Sequence, residues 1–417
     1  MNGRLGKLTD ALAANLWLIP LIAFLLSFAL SRGLLAFDKT VDVSANAWFV
    51  YGGSPQGARQ LLATIAGSMI TFIGLVFSST ILVLQLASSQ FSPRIMRSFF
   101  RDRIIQAALG TFVATFSYAI FVLRELRESA VAPFVPGLST YVAVSLVWLS
   151  LAMFVIYINH IGERIRAVTI IRIAARETTA GFERSRRHRP PYAEFMPPAI
   201  QAEIVGAPHQ GAVAAVDAAA LVRIAVTIDA RFEVLPLAGD FLRTGSPSVR
   251  AWCSRALTSA EIKRIARTIS IERERSIRAD PLFGFRQLVD IANKALSPGI
   301  NDPTTAVLVL DQLHELLLRV AAAEPRSDVY RDAAGIERVL VRCPAWSEYV
   351  DQSLEEILLY GRGSLHVLRR VRALVIDLDD AVAPEYRAAL AAYRRRVERC
   401  IDDAFPSVEE RESARVS

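Results

Sequence analysis

The chain divides into two by its pattern of apolar and polar positions. The first 160 residues carry four long, nearly uncharged apolar runs, and the remainder alternates apolar and charged positions at short intervals. The runs are ALAANLWLIPLIAFLLSFAL at residues 11–30, Leu61 to Ser88, Ile104 to Leu123 and Leu138 to Ile161. Each meets the roughly 20 residues that a helix needs to cross about 30 Å of hydrocarbon. The first lacks a small-residue cleavage site, which favours a retained span over a removed signal peptide.

Past the fourth run, HIGERIRAVTIIRIAARETTAGF holds no Gly or Pro between Gly162 and Gly181 and is expected to continue as one helix into RSRRHRPP at 184–191, a solvated linker. Three short β-like runs follow: AEIVG (202–206), GAVAAVD (211–217) and RFEVLPL (231–237). Asp217 is placed to cap a helix over AAALVRIAVTI, and LAGDFLRTGSP (237–247) reads as a turn between strands. From Thr258 the pattern is mostly helical, through SAEIKRIARTISIERERSI and PLFGFRQLVDIANKAL, then Pro303 to Val320 and stretches near 346–360, 364–380 and 385–404. VLVRC (339–343) is an expected strand, and PSVEERESARVS an expected frayed tail. The predicted fold is thus an integral membrane α-helical domain of four transmembrane helices with both termini cytoplasmic, plus a mixed α+β cytoplasmic C-terminal domain with a small sheet and a bundle-like helical part. Its divisions fall at 1–161 (membrane), 162–199 (helical extension and Pro/Arg-rich linker), 200–254 (β-rich), 255–405 (mostly helical) and 406–417 (polar tail).

Charge sharpens this into a topology. The net charge is +7 and hydrophobic residues make up 53% of the chain, yet much of the Arg excess flanks apolar runs, which argues against nucleic-acid binding. Arg4 and Lys7 precede the first run, Arg94, Arg97, Arg101 and Arg103 separate the second from the third, and Arg164, Arg166, Arg172 and Arg176 follow the fourth. The positive-inside bias places these links and both termini in the cytoplasm. No ionisable residue interrupts the cores of the last three runs except His160 at a span end, which disfavours a proton-coupled pump. Cys253, Cys343 and Cys400 stand apart without CxxC spacing, and the five histidines are scattered. Neither a disulfide framework nor a metal site is expected, and no cofactor is implied. Nucleotide-binding glycine motifs are missing.

Three features are candidates for chemistry. Thr64, Gly67, Thr71, Gly74 and Ser78 share one face of the second run, suited to close helix packing or to a pore lining. Arg94, Arg97 and Arg101 alternate with Phe99 and Phe100 in an amphipathic turn fitted to the membrane surface. Third is ALSPGINDPTTAV (295–307), where Pro298 and Gly299 stop one helix while Asp302 and Pro303 start the next. Arg286, Asp290, Asn293 and Ser297 form a polar line into that corner, beside Asn301, Thr304 and Thr305. The corner is a candidate for a small anionic ligand or a subunit contact.

SSQFSPRIMRSFFRDR (88–103), LAGDFLRTGSP (237–247) and DPLFGFRQLVDIANKALSPGINDPTTA (280–306) together resemble the bacterial membrane-protein family catalogued as domain of unknown function 2254. The resemblance covers nearly the whole chain. It implies a multi-span protein of the bacterial inner membrane with a cytoplasmic C-terminal domain, and it carries no catalytic residues. Three functions remain open. One is a membrane-anchored sensor or scaffold that forms homo-oligomers; a second is an oligomeric channel gated by the cytoplasmic domain. An enzyme is disfavoured, because Asp280, Asp290 and Asp302 stand without an identifiable nucleophile and base.

Overall fold

The structure is a computed structural model that describes residues 17–40, 51, 53–90, 102–126, 134–164, 166–187, 195–273, 275, 277, 280–323 and 329–415. It contains two compact units, Met1–Thr169 and Ile170–Ser417.

The first unit holds four helices long and apolar enough to cross a membrane: α1 (Leu18–Thr40), α2 (Pro55–Gln90), α3 (Arg103–Glu125) and α4 (Gly137–Arg164). The third is the centre of the unit. Its apolar window is 56% buried where the other three are 17% buried, and α1, α2 and α4 all pack on it. Small residues make that possible. A Cβ added at Gly110 would stand 3.3 Å from Ile19 and 3.4 Å from Ala23, so its absence lets α1 approach. Buried aromatics fill the remaining space, with Phe72 edge-on to Phe112 at 5.1 Å and to Phe154 at 4.6 Å.

Polar groups inside this unit answer one another, as an environment without water requires. Thr115 meets Ser150 at 2.8 Å, the Tyr118 hydroxyl donates to the Ser139 carbonyl at 3.0 Å, and Tyr157 meets Thr80 at 2.5 Å. At one end of the unit, Asp38 of α1 accepts from the Leu138 and Ser139 amides and the Ser139 hydroxyl, capping α4 from another helix. Beside it Glu125 accepts from Arg32 at 3.0 Å and Lys39 at 3.1 Å. At the other end the buried Asp102 caps α3 through the Ile104 amide and meets His160 of α4 at 2.7 Å.

Two expectations change here. The first helix extends to Thr40, ten residues past the apolar run that was expected to bound it. Its charged last turns are stable because Arg32, Lys39 and Asp38 each have a partner from another element. The helix after the fourth run is not continuous, since α4 ends at Arg164, Arg166 is a bend, and α5 spans Ala167–Arg187.

The second unit combines α5 with two sheets and a helical layer. Strands β1 (Ala202–Gly206), β2 (Gly211–Val216) and β3 (Arg231–Val234) match the expected runs, with α6 (Ala218–Thr227) capped by Asp217 at the Ala220 amide. The strand expected after the 237–247 turn is β5 (Pro247–Trp252), while three strands escaped the sequence reading: β4 (Phe241–Leu242) inside that turn, β6 (Ile269–Glu272) and β7 (Val329–Arg331). The stretch expected to be helical from Ser259 breaks after α7 (Ser259–Ala266) into β6, whose Ile269 and Ile271 pack in the sheet core. With β8 (Glu337–Val341), a five-stranded sheet runs β1-β5-β3-β8-β7, and a three-stranded one runs β4-β2-β6. Among the described residues only β3 and β8 pair in parallel. The larger sheet therefore draws its last two strands from beyond residue 300, across the division expected at residue 254. Val205, Leu221, Phe232, Val249 and Val339 form its buried core with α6.

The helical layer comprises α8 (Pro281–Ala295), α9 (Pro303–Ala321), α10 (Trp346–Gly361), α11 (Leu365–Ala381) and α12 (Arg387–Ala404). The C-terminal stretch expected to fray forms α13 (Val408–Arg415) instead. Arg372 donates to the Arg415 carbonyl, and Arg415 bridges Glu398 and Asp402 of α12. These contacts hold a segment whose own apolar content is too small to dock it.

Candidate functional site

The 280–306 stretch builds α8, the corner and the start of α9. The buried Asp280 caps α8 at the Phe283 amide, and Pro281 occupies the first turn, where its missing N–H costs nothing. The same carboxylate receives Arg275 Nε at 2.8 Å and Nη2 at 2.5 Å. Burial pushes the Asp280 carboxyl above its usual range, against the opposing pull of the guanidinium. Gly239, at φ +92°, brings the LAGD turn against Asp280 and Arg275 so closely that any side chain there would collide with both. Two of the three quoted stretches therefore touch in space. Gly284 in the next turn does the same for α5, since a Cβ there would overlap the buried Thr178.

One turn further, the polar line closes into a network. Arg286 Nε donates to Asp290 at 2.8 Å and its Nη1 to Glu356 of α10 at 2.5 Å, while Asn293 Nδ2 donates to the second Glu356 oxygen at 2.6 Å. The guanidinium holds the Glu356 carboxyl below the usual carboxylate range, and Glu356 in turn raises Arg286. Asn293 Oδ1 is buried without a hydrogen-bond partner among the described residues. Sequence reading found Arg286, Asp290 and Asn293 but missed Glu356, which lies 63 positions beyond Asn293. The trace of it in the sequence is an acidic residue on the α10 face that also carries Tyr349 and Ser353.

The rest of the predicted site forms a second group at the corner. The Ser297 hydroxyl donates to the Lys294 carbonyl at 2.6 Å. The Asn301 amide donates to the Ser297 carbonyl at 2.9 Å and the Asp302 amide to the Ala295 carbonyl at 2.8 Å, closing the end of α8. Asn301 stands at φ +48°, a left-handed conformation that Asn tolerates better than most side chains. Asp302 accepts from the Thr305 amide at 3.0 Å and the Thr305 hydroxyl at 2.6 Å. The start of α9 thus carries a carboxylate of its own, which opposes a small anion there. Thr304 is exposed beside it.

The face of Thr64, Gly67, Thr71, Gly74 and Ser78 points away from the other helices of its chain, every member being exposed. Gly67 and Gly74 have nothing within 4 Å of where a Cβ would sit. The second helix packs inside the chain through Ala58, Leu62, Ile65, Ala66, Met69 and Val76. Arg94, Arg97, Phe99, Phe100 and Arg101 lie outside the described residues, as do residues 188–191 of the basic stretch, while its residues 184–187 belong to α5. Among the described residues no group of three or more His, Cys, Asp or Glu side chains is placed to hold a metal.

The family described as "Predicted membrane protein (DUF2254)" matches residues 13–377, from ahead of α1 to within α11. The chain belongs to this family. Similar proteins include uncharacterized proteins of Mycobacterium bovis and Mycobacterium tuberculosis, each 29% identical over 427 aligned positions that cover 99% of this chain and 81% of the relative. No solved structure matches the chain. The DUF2254 match spans both units, so the four membrane helices and the α8–corner–α9 element are features within one family description.

Proposed function

We propose that this DUF2254 protein is a membrane-anchored sensor or scaffold of the bacterial inner membrane, in which the spans anchor and oligomerise and the C-terminal unit reads a ligand or partner. The packing of α3 carries this reading. Phe112, Tyr118, Ala119 and Val122 are fully buried along it, so side chains fill the middle of the four helices. A conduit through one chain has no room there, whereas an anchor needs none.

The charge distribution supports a cytoplasmic C-terminal unit. Arg94, Arg97, Arg101 and Arg103 separate the second and third runs and Arg164, Arg166, Arg172 and Arg176 follow the fourth, the Lys and Arg bias of cytoplasmic links. The outward face of α2 supports association of copies, because small residues at spacings of three and four let a second backbone approach closely. A second reading uses the same face: Thr64 and Thr71 spend their protons on the Gln60 and Gly67 carbonyls, and their outward lone pairs can line a path on an oligomer axis.

Disulfide cross-linking of the full chain in native membranes tests both readings. Thr71→Cys is expected to cross-link between copies while Trp148→Cys, on the exposed surface of α4, does not, and planar bilayers holding the protein stay electrically silent. A monomer without Thr71→Cys cross-links overturns the association. Ion currents altered by Thr71→Val shift the conclusion to the conduit.

A further inference from the structure

A groove of ≈ 470 Å³ runs between α5 and α9 in the second unit, within the size range of ligand sites. Arg172, Arg176, Thr179 and Glu183 line it from α5 at intervals of four, three and four, which places them on one helix face. Glu315 and Arg319 line it from α9. The charges along it are unevenly answered. Arg319 is held by Glu315 at 2.7 Å, and Glu183 adds to the negative field around it. Arg172 and Arg176 are exposed and have no hydrogen-bond or ion-pair partner among the described residues.

Like charges four residues apart on one helix face oppose each other. Other arginines of this unit answer their charge by pairing; Arg286, Arg338, Arg372 and Arg415 each hold a carboxylate. Arg172 and Arg176 keep their full charge on the wall of a groove instead. Two guanidinium forks about 6 Å apart along the helix present donors suited to the oxygens of one phosphoryl group, whose charge of about −1.5 to −2 at neutral pH matches theirs. Glu183 and the Thr179 hydroxyl, whose proton goes to the Ala175 carbonyl at 3.0 Å, offer acceptors only. The groove is therefore cationic at one end and acidic at the other, which fixes the direction of an occupant.

We infer that the α5–α9 groove binds a phosphate-bearing group, a phospholipid headgroup or a free phosphorylated small molecule, with the phosphoryl on Arg172 and Arg176. This deepens the sensor reading by naming the class of ligand and rests on it only for what occupancy does. The test uses the full chain in nanodiscs of phosphatidylcholine, titrated by calorimetry with inorganic phosphate and with adenosine monophosphate. A second arm compares hydrogen exchange of α5 between those discs and discs that also contain phosphatidylglycerol. Saturable, salt-sensitive binding is expected in the first arm if the source is soluble, or added protection of α5 in the second if it is lipid. In either arm Arg172→Gln with Arg176→Gln weakens the effect tenfold or more, and Glu183→Gln strengthens it severalfold. No effect in both arms, or an effect that survives the double substitution in a chain of unchanged melting temperature, overturns the inference. Binding that leaves both the oligomer distribution and exchange in the rest of the second unit unchanged sinks the sensor reading alone.

Discussion

Asn301 separates backbone punctuation from ligand chemistry at the corner. Its φ of +48° is closed to most side chains by contact of Cβ with the following carbonyl, at a cost of about 1–2 kcal/mol for a residue with an ordinary Cβ. Glycine escapes that cost, and its extra freedom in the unfolded chain offsets part of the gain by about 0.4–1 kcal/mol. Asn301→Gly is therefore expected within about 0.5 kcal/mol of the parent. Asn301→Ala falls about 1 kcal/mol below it, and Asn301→Val about 2, because its second branch narrows the choice further. For a unit of this size each kcal/mol moves the melting temperature by about 2–4 °C. Thermal melts of the four proteins in the same detergent, followed by far-UV circular dichroism, give the order directly. Alanine and valine variants as stable as the glycine variant would falsify the backbone account. The glycine variant carries a second answer, since it removes the side chain and keeps the turn; any binding lost with it belongs to the carboxamide.

Glu356→Ala leaves the Asn293 amide without its acceptor and Arg286 with Asp290 alone, and is expected to cost about 1–3 kcal/mol by chemical denaturation; a variant as stable as the parent removes the network from the account of this layer. His314 lies half-buried between α9 and α11, facing Asp311 on its own helix and Arg370 and Asp377 on the other. Arg370 donates to its Nδ1 at 3.0 Å, which puts the ring proton on Nε2, and burial with the guanidinium holds its pKa below 6.5. The unfolded chain then binds a proton that the folded chain refuses, so stability falls as the pH drops through about 6.5 toward the folded value. His314→Gln should flatten melting temperature against pH across that window, and an unchanged slope counts against the assignment. Gly110→Leu drives a side chain into Ile19 and Ala23 and is expected to destabilise the membrane unit by about 1–3 kcal/mol in detergent-driven unfolding; a neutral result would mean that α1 does not rest on that face.

The features legible in the sequence are those set by local chemistry. Four apolar runs mark four helices, and Asp217 and Asp302 each precede a helix that the structure shows them capping. What escaped depends on distant partners. Glu356 joins α8 only through the packing of α10, and the strands β4 and β7 hold two and three residues, too few for any periodicity. The first helix outran its apolar run because Glu125, 86 positions beyond Lys39, makes its charges tolerable. The Thr64–Ser78 face leaves packing and pore lining open in the sequence, since small residues serve both; the burial of the opposite face of that helix shows which side packs inside the chain.

The central position of α3 has a consequence for synthesis. Helices α1 and α2 both rest on α3, and no comparable contact joins them to each other among the described residues. When α2 has just been made, neither of the first two spans has its main neighbour. At about 5–20 residues per second, the 35 positions from Gln90 to Glu125 impose an interval of several seconds before it arrives. During that time two greasy rods share the bilayer without a fixed arrangement, open to quality-control proteases and to strangers. The third span is the keystone that ends this exposure, and a chain cut short just before it leaves the ribosome with an anchor but no assembled unit.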